Sequence, residues 1–292
     1  MAREGDRRAD PEVARRSRLL EGLRLEGEGA RGVAIALLSS LVFAVVIVVA
    51  VTQSAGWPEV RRTFFDWGDI SSSFPDIARA FVLNVKIFLV CEVFILVLAL
   101  VIAVLRSLPG PVFFPLRALA VIYTDLARGV PTILVIALLG FGAPALQLTG
   151  VPSSRVFWAG VGLILIYSGY VAEVYRAGIE SVHPSQEAAA RSLGLSRLQA
   201  LRHVILPQAI RRVIPPLLND FIGLQKDTAL VGTLGVIEAF NQSQIDSNAT
   251  FTYGAYLAAA ALFVAITIPL ARLTDWLIAR DRRRHQAGGG FA

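Results

Sequence analysis

Apolar residues in this chain come in long runs, not in alternating stripes. Between residues 32 and 52 the only polar side chains are Ser39, Ser40 and Thr52. Further apolar runs cover 81–105, about 116–139, 156–175, about 209–233 and 254–278. Each approaches the roughly 20 residues that cross about 30 Å of hydrocarbon. The pattern predicts an all-α polytopic membrane protein with six transmembrane helices, the first of them at residues 32–52.

Polar residues inside these runs are informative, because lipid tolerates them only with a partner. The second run holds Asn84, Lys86 and Glu92. Lys86, near the end, can snorkel. Glu92 is deeper and is expected to face other helices or a water-filled cavity. The third run is interrupted by Asp125, Arg128, Gly129 and Pro131. Proline bends a helix, and broken backbone at membrane depth survives only against protein or a cavity, so this face is expected to pack inward. The fifth run carries Asn219, Asp220, Lys226 and Asp227. Residues 53–80 mix Trp57, Phe64, Phe65, Trp67 and Phe74 with charges, which predicts an amphipathic segment lying on the outer surface. Residues 141–155 and 238–253 read as outer loops.

The composition agrees: 55% of residues are hydrophobic and 17% charged, against about 25% charged in soluble domains. The net charge of +6 would suggest nucleic acid in a soluble protein. Here the basic residues flank apolar runs, so membrane orientation explains them and no nucleic-acid partner is expected. Eight arginines precede residue 32, Arg106 and Arg117 follow the second run, and Arg176, Arg191, Arg197, Arg202, Arg211 and Arg212 lie in or beside a polar block near 183–208. The expected outer segments hold only Arg61, Arg62, Arg79 and Arg155. The count places both termini in the cytoplasm of a cell (inner) membrane protein. The first run is too long for an ordinary signal-peptide core and reads as a retained anchor. Cys91 is the single cysteine, which rules out an intrachain disulfide, and His183, His203 and His285 form no metal-spaced cluster with it. No metal or bound cofactor is expected. The organisation predicted is a cytoplasmic tail (1–31, with a short surface helix near 13–25), a first span with its interfacial segment (32–80), a transmembrane domain (81–280) and a cytoplasmic tail (281–292) whose glycines 288–290 are disordered.

The block at 183–208 is the longest water-compatible stretch between two apolar runs in the second half. Pro184 suits a first helical turn, Glu187–Arg191 are helix formers, and Gly194 can end the helix in the left-handed conformation. Ser196 with Gln199 makes a capping box for a second short helix running towards Leu206, with Pro207 where the fifth span begins. The small Ala188, Ala189 and Ala190 allow another surface to approach. A solvated loop with helical character is the alternative.

This block resembles the EAA loop of importer-type ABC permeases: Gly194, nine residues, Val204, one residue, Leu206-Pro207. Gln186, Ala189, Arg191, Leu193, Gly194 and Pro207-Gln208-Ala209 are similar to the polar amino-acid uptake subfamily. So are Tyr123, Arg128, Gly129 and Pro131; Tyr170, Ala172, Glu173, Arg176 and Gly178; and Pro215, Leu217, Asn219, Lys226, Asp227, Thr228, Leu230 and Glu238. The family's loop glutamate falls on Ala188, with Glu187 one residue upstream. Ser185, Val130 and Ala229 also depart from the pattern.

The resemblance implies a five-span permease core plus one added N-terminal helix, and cytoplasmic coupling helices. It implies an ATP-driven importer for polar amino acids, with glutamate or glutamine the favoured substrates. The partners it implies are a dimer of ABC ATPase subunits, an extracytoplasmic solute-binding protein, and a second copy or a homologous permease. ATP is then used by the partner: the two lysines, Lys86 and Lys226, do not follow a glycine as a phosphate-binding loop requires. Coupling to the ATPase falls to Glu187, Ala188, Ala189, Gly194, Leu206 and Pro207. Pathway candidates are Glu92, Arg128, Glu173, Asn219, Lys226 and Asp227, with Asp125 and Gln225 beside them. Asp125–Arg128 and Glu173–Arg176 have the i,i+3 spacing of self-neutralising pairs. Two other readings compete: an ion-gradient-driven secondary amino-acid transporter using Glu92 and Asp227, and a non-transport membrane scaffold.

Overall fold

A computed structural model describes residues 11–108 and 110–288. The expectations for residues 1–10 and for the tail beyond 288 lie outside the described residues. The chain divides into two units, residues 1–62 and 63–292. In the first, a single 42-residue helix, α1 (Pro11–Thr52), replaces the expected separate tail, surface helix and span. Its segment 31–52 is long and apolar enough to cross a membrane. Helix α2 (Trp57–Phe64) follows.

The second unit is built on α3 (Trp67–Ser107). Asp66 starts this helix by accepting from the N–H groups of Gly68 (2.8 Å) and Asp69 (3.2 Å), satisfying two donors the first turn leaves open. At 41 residues α3 is about 61 Å long, twice the hydrocarbon thickness. Residues 67–80 are therefore continuous with the span, not a separate segment on the surface as the mixed aromatics and charges suggested. After a 3-10 turn (Pro111–Phe113) come α4 (Phe114–Gly129) and α5 (Thr132–Ala145). Pro131 forces Val130 into extended backbone (φ −97°, ψ 129°), and the two helices meet at 101°. The expected inward face is only partly so. Ala120, Thr124 and Ala127 are buried, whereas Asp125, Arg128 and Gly129 at the break are exposed.

The chain continues through α6 (Arg155–Glu180), α7 (Pro184–Ser192), α8 (Arg197–Ala200) and a π-helical turn (Leu201–Ile205) into α9 (Leu206–Asp227). A 3-10 segment (Thr228–Leu234) follows, then α10 (Ala239–Thr250) and α11 (Gly254–Gly288). The polar stretch expected to be an outer loop is thus a helix, α10. Among the described residues, four helices are long and apolar enough to cross a membrane, five if the bent α4–α5 pair counts as one span. The expected six is not reached, because α9 is interrupted by polar residues and ends at Asp227, and the rest of that run is the 3-10 segment.

Helix α6 is the packing centre: α3, α4, α5 and α9 all lie against it. Close approach is possible because small residues face each neighbour. Cβ atoms placed on Gly162, Gly169 and Gly178 would meet Ile136 of α5, Ala127 of α4, and Val213 with the Ala209 carbonyl of α9. Around this axis Ile87, Cys91, Ile95, Ile136, Leu163, Val171 and Leu224 form one buried core. A second core joins Ile77 and Phe81 of α3 to Ala255, Ala258 and Ala259 of α11, with Phe81 and Phe263 edge-to-face at 4.9 Å.

Gly169→Leu is expected to cost about 1–3 kcal/mol by overpacking against Ala127. Thermal unfolding of the purified protein measures it. Gly142→Ala, whose added methyl meets nothing within 4 Å, is the control expected to unfold at the parent temperature or slightly above.

Candidate functional site

The 183–208 segment folds as two short helices around a glycine. Pro184 opens α7, and His183, not foreseen as a cap, accepts from the Ser185 N–H through Nδ1 at 3.2 Å. Gly194 has φ +85° with open space around it. Its N–H donates to the Arg191 carbonyl (3.0 Å) and the Leu195 N–H to that of Ala190 (3.2 Å), closing the helix end. The capping box is reciprocal: the Gln199 N–H donates to Ser196 Oγ (3.3 Å) and the Ser196 N–H to Gln199 Oε1 (2.8 Å).

The second short helix, expected to run towards Leu206, does not end there. Ile205 and Leu206 are both helical, and the π turn carries α8 directly into α9, with Pro207 in a first turn that needs no N–H from it. Ala188, Ala189, Leu206 and Pro207 are exposed, Glu187 is half-buried, and Leu193 presents 85% of its surface beside Gly194. Ala190, grouped with the other alanines in the sequence, turns inward and is buried. The Arg212 guanidinium donates to the Ser181 carbonyl, tying the end of α6 to α9 just before α7.

The pathway candidates do not form one cluster. Glu173 sits in a charged clamp: its Oε2 accepts from Arg106 Nη1 at 2.7 Å, and it also pairs with Arg176, which in turn pairs with Glu180. The same Arg106 Nη1 donates to Thr124 Oγ1 (2.9 Å), so α3, α4 and α6 are locked together at one end. The i,i+3 pairing of Glu173 with Arg176 is present; Arg106, on a different helix, was not foreseen as its partner. Asp125 and Arg128 make no such pair. Both are exposed, and Arg128 lies within electrostatic reach of Glu173.

Glu92 faces α9, as its depth required. One of its carboxylate oxygens is buried without a hydrogen-bond partner, and so is one of Asp220, which lies within electrostatic reach. Phe88 and Phe221, edge-to-face at 6.3 Å, mark the same α3–α9 contact. Asp220 was visible in the sequence only as one polar residue among several. Asp227 accepts from the Tyr167 hydroxyl at 2.9 Å, a partner that sequence spacing does not indicate. Lys226 and Asn219 are exposed, and neither side chain makes a hydrogen bond among the described residues.

Where α9 gives way to the 3-10 segment, a knot of polar groups is fully enclosed. Glu238 is 0% exposed. Its carboxylate accepts from the N–H groups of Phe240 (2.9 Å) and Asn241 (2.8 Å), capping α10, and from Asn84 Nδ2 (2.8 Å). The Asn84 amide also donates to Thr228 Oγ1 (3.2 Å) and accepts from the Ala239 N–H (3.1 Å). On the other side Leu234 packs on Gly140 of α5, and Arg155 donates to the Leu234 carbonyl at 3.0 Å while lying over the Phe141 ring. The 3-10 segment is thus held from both sides.

Residues 95–283 match the family described as the binding-protein-dependent transport system inner membrane component. A probable amino-acid permease of Bacillus subtilis, YxeN, is 35% identical over 211 residues, covering 72% of this chain and 93% of that protein. A probable glutamine ABC transporter permease of the same organism, GlnM, is 37% identical over 185 residues, covering 62% and 82%. Among solved structures, an amino acid ABC transporter crystallised with histidines is similar at a TM-score of 0.67 and 28% identity, covering 74% of this chain and 98% of that one.

Glu238→Ala leaves the Asn84 amide and two backbone N–H groups without their acceptor. The expected cost is about 2–4 kcal/mol, or a fall of about 5–10 °C in unfolding temperature. Asn84→Leu should act in the same direction, and the double variant should lose less than the two single losses combined, because both remove one network. Strict additivity in the melting temperatures would show that the two residues act separately.

Proposed function

The chain belongs to the family of binding-protein-dependent transport system inner membrane components, and on that premise we propose that it is the transmembrane permease subunit of an ATP-driven ABC importer for polar amino acids. Its relatives are named for amino-acid and glutamine transport. Glutamate or glutamine is the substrate proposed. The ion-gradient alternative draws no support from these relatives.

The observation that carries the coupling reading is the α7–Gly194–α8 segment. It presents Leu193, Ala188 and Ala189 outward on two capped helices, and it is continuous through the π turn with α9. In this reading the segment docks on a separate ATPase subunit, one per permease chain, and both termini are cytoplasmic. A solute-binding protein delivers the amino acid at the opposite face, and a second permease copy or a homologue completes the pathway. ATP is hydrolysed by the partner.

Docked motion reaches the spans by two physical routes. One is the unbroken helical path from α8 into α9, which carries Asp220, Lys226 and Asp227. The other is α6, whose end joins α7 and whose Glu173 is clamped to Arg106 and Arg176. Rigid-body rocking of packed helices between two arrangements then alternates access. Glu92, Asn219, Lys226 and Asp227 supply polar groups along the way, while Glu173 forms the clamp and Arg128 lies within electrostatic reach of it.

Gly194→Asp tests the docking. Aspartate tolerates the left-handed backbone better than most residues, and the open space admits its side chain, so insertion should be unaffected. In proteoliposomes containing the ATPase and the binding protein, uptake of labelled glutamine and glutamate should fall on the order of tenfold or more. ATPase stimulation by the binding protein should be lost with it. Normal uptake by the variant would sink the docking role.

A further inference from the structure

Between α3 and α6 lies an open groove with a cavity volume of about 470 Å³. Val90 and Phe94 of α3 and Phe157, Gly160 and Ile164 of α6 are among its walls, and Lys86 is the one charged residue lining it. Gly160 adds no side chain to its wall. The Cys91 thiol closes its floor by donating to the Gly160 carbonyl at 3.7 Å.

The position of Lys86 sets the chemistry. Lys86 is exposed on the apolar part of α3, and among the described residues its side chain has neither a hydrogen bond nor an ion pair. An ammonium at that depth needs an anion or water. Side chains on a helix tilt towards its N-terminus, so Lys86 leans towards the end of the groove where α6 begins. At that end Phe157 and Trp158 stack edge-to-face at 5.3 Å, and the Trp158 indole donates to the Pro152 carbonyl at 2.7 Å. Tryptophan is enriched at the headgroup level of membranes. From there the α6 wall runs from Val156 to Ile164, about 12 Å, close to the ~15 Å depth of one leaflet.

We infer that this groove is a phospholipid site, with one acyl chain lying between α3 and α6 and the phosphate paired with Lys86. The charge complementarity selects a phosphate-bearing lipid over a neutral one. The apolar walls select a lipid over a free anion. The site is independent of the transport reading and is tested without transport.

The full-length protein, purified in mild detergent, is titrated with dioleoyl phosphatidylglycerol and followed by native mass spectrometry. One lipid per chain should survive activation that strips the others. Lys86→Gln should weaken that binding about tenfold and Lys86→Arg should preserve it. Gly160→Leu, which fills the groove without altering charge, should weaken it as well. Dioleoylglycerol, with the same chains and no phosphate, should bind as weakly as phosphatidylglycerol binds the glutamine variant. Equal binding of the two lipids would overturn the proposal, as would displacement of the lipid by millimolar inorganic phosphate. If Lys86→Gln does not insert, the arginine and leucine variants carry the comparison. A photo-crosslinker at the exposed Val90 should capture lipid; capture of a second copy of the chain in its place would assign the groove to an interface.

Discussion

A helix that ends inside a membrane protein leaves backbone groups that lipid cannot satisfy. The structure after α9 depends on how that problem is met. Glu238 places a fully enclosed carboxylate on the first N–H groups of α10, and Asn84 of α3 bridges it to Thr228 and to the Ala239 N–H. A buried charge is tolerable only when fully hydrogen-bonded. Here the partners come from α3 and from residues 228–241, two stretches far apart in sequence. Without them the 3-10 segment keeps only its ties on the other side, Leu234 on Gly140 and Arg155 on the Leu234 carbonyl.

The rest of the bundle is arranged by size. In lipid the apolar effect gives helices little reason to associate, so close packing and polar contacts must do it. Gly162, Gly169 and Gly178 let α5, α4 and α9 approach α6 in turn. Where the helices converge near the 183–208 segment, the Arg106–Glu173–Arg176 clamp adds charge-assisted hydrogen bonds across α3 and α6. Packing sets the distances, and the clamp and the Glu238 knot set the register at two levels. Between them lie Glu92 and Asp220, each with one buried oxygen that makes no hydrogen bond among the described residues. In the importer reading, the moving parts are those with the fewest enclosed polar ties, and the rocking units are those these two devices bind together.

Much of the candidate site was legible in the sequence because it obeys local rules. The capping box, the proline at the first turn of α7 and the left-handed Gly194 each involve residues within a few positions of one another. What stayed hidden involves distance. Arg106 as the partner of Glu173, Tyr167 as the partner of Asp227, and Asp220 beside Glu92 join residues tens of positions apart or more. That α8 passes through the π turn into α9 without a break was not foreseen either.

The sequence by itself determined an all-helical membrane chain, its EAA-like segment and the family, because apolar length and locally spaced motifs do not depend on the rest of the fold. It could not determine how many runs become spans. Residues 209–233 are apolar enough to suggest one, but the polar residues of α9, the 3-10 turn and the Glu238 knot make another structure there. Nor could it determine that residues 67–80 prolong α3, that α4 and α5 meet at 101°, or that Ala190 turns inward while Leu193 stands out. Tertiary structure decided these, because burial and polar satisfaction at each position are set by which distant helix arrives beside it.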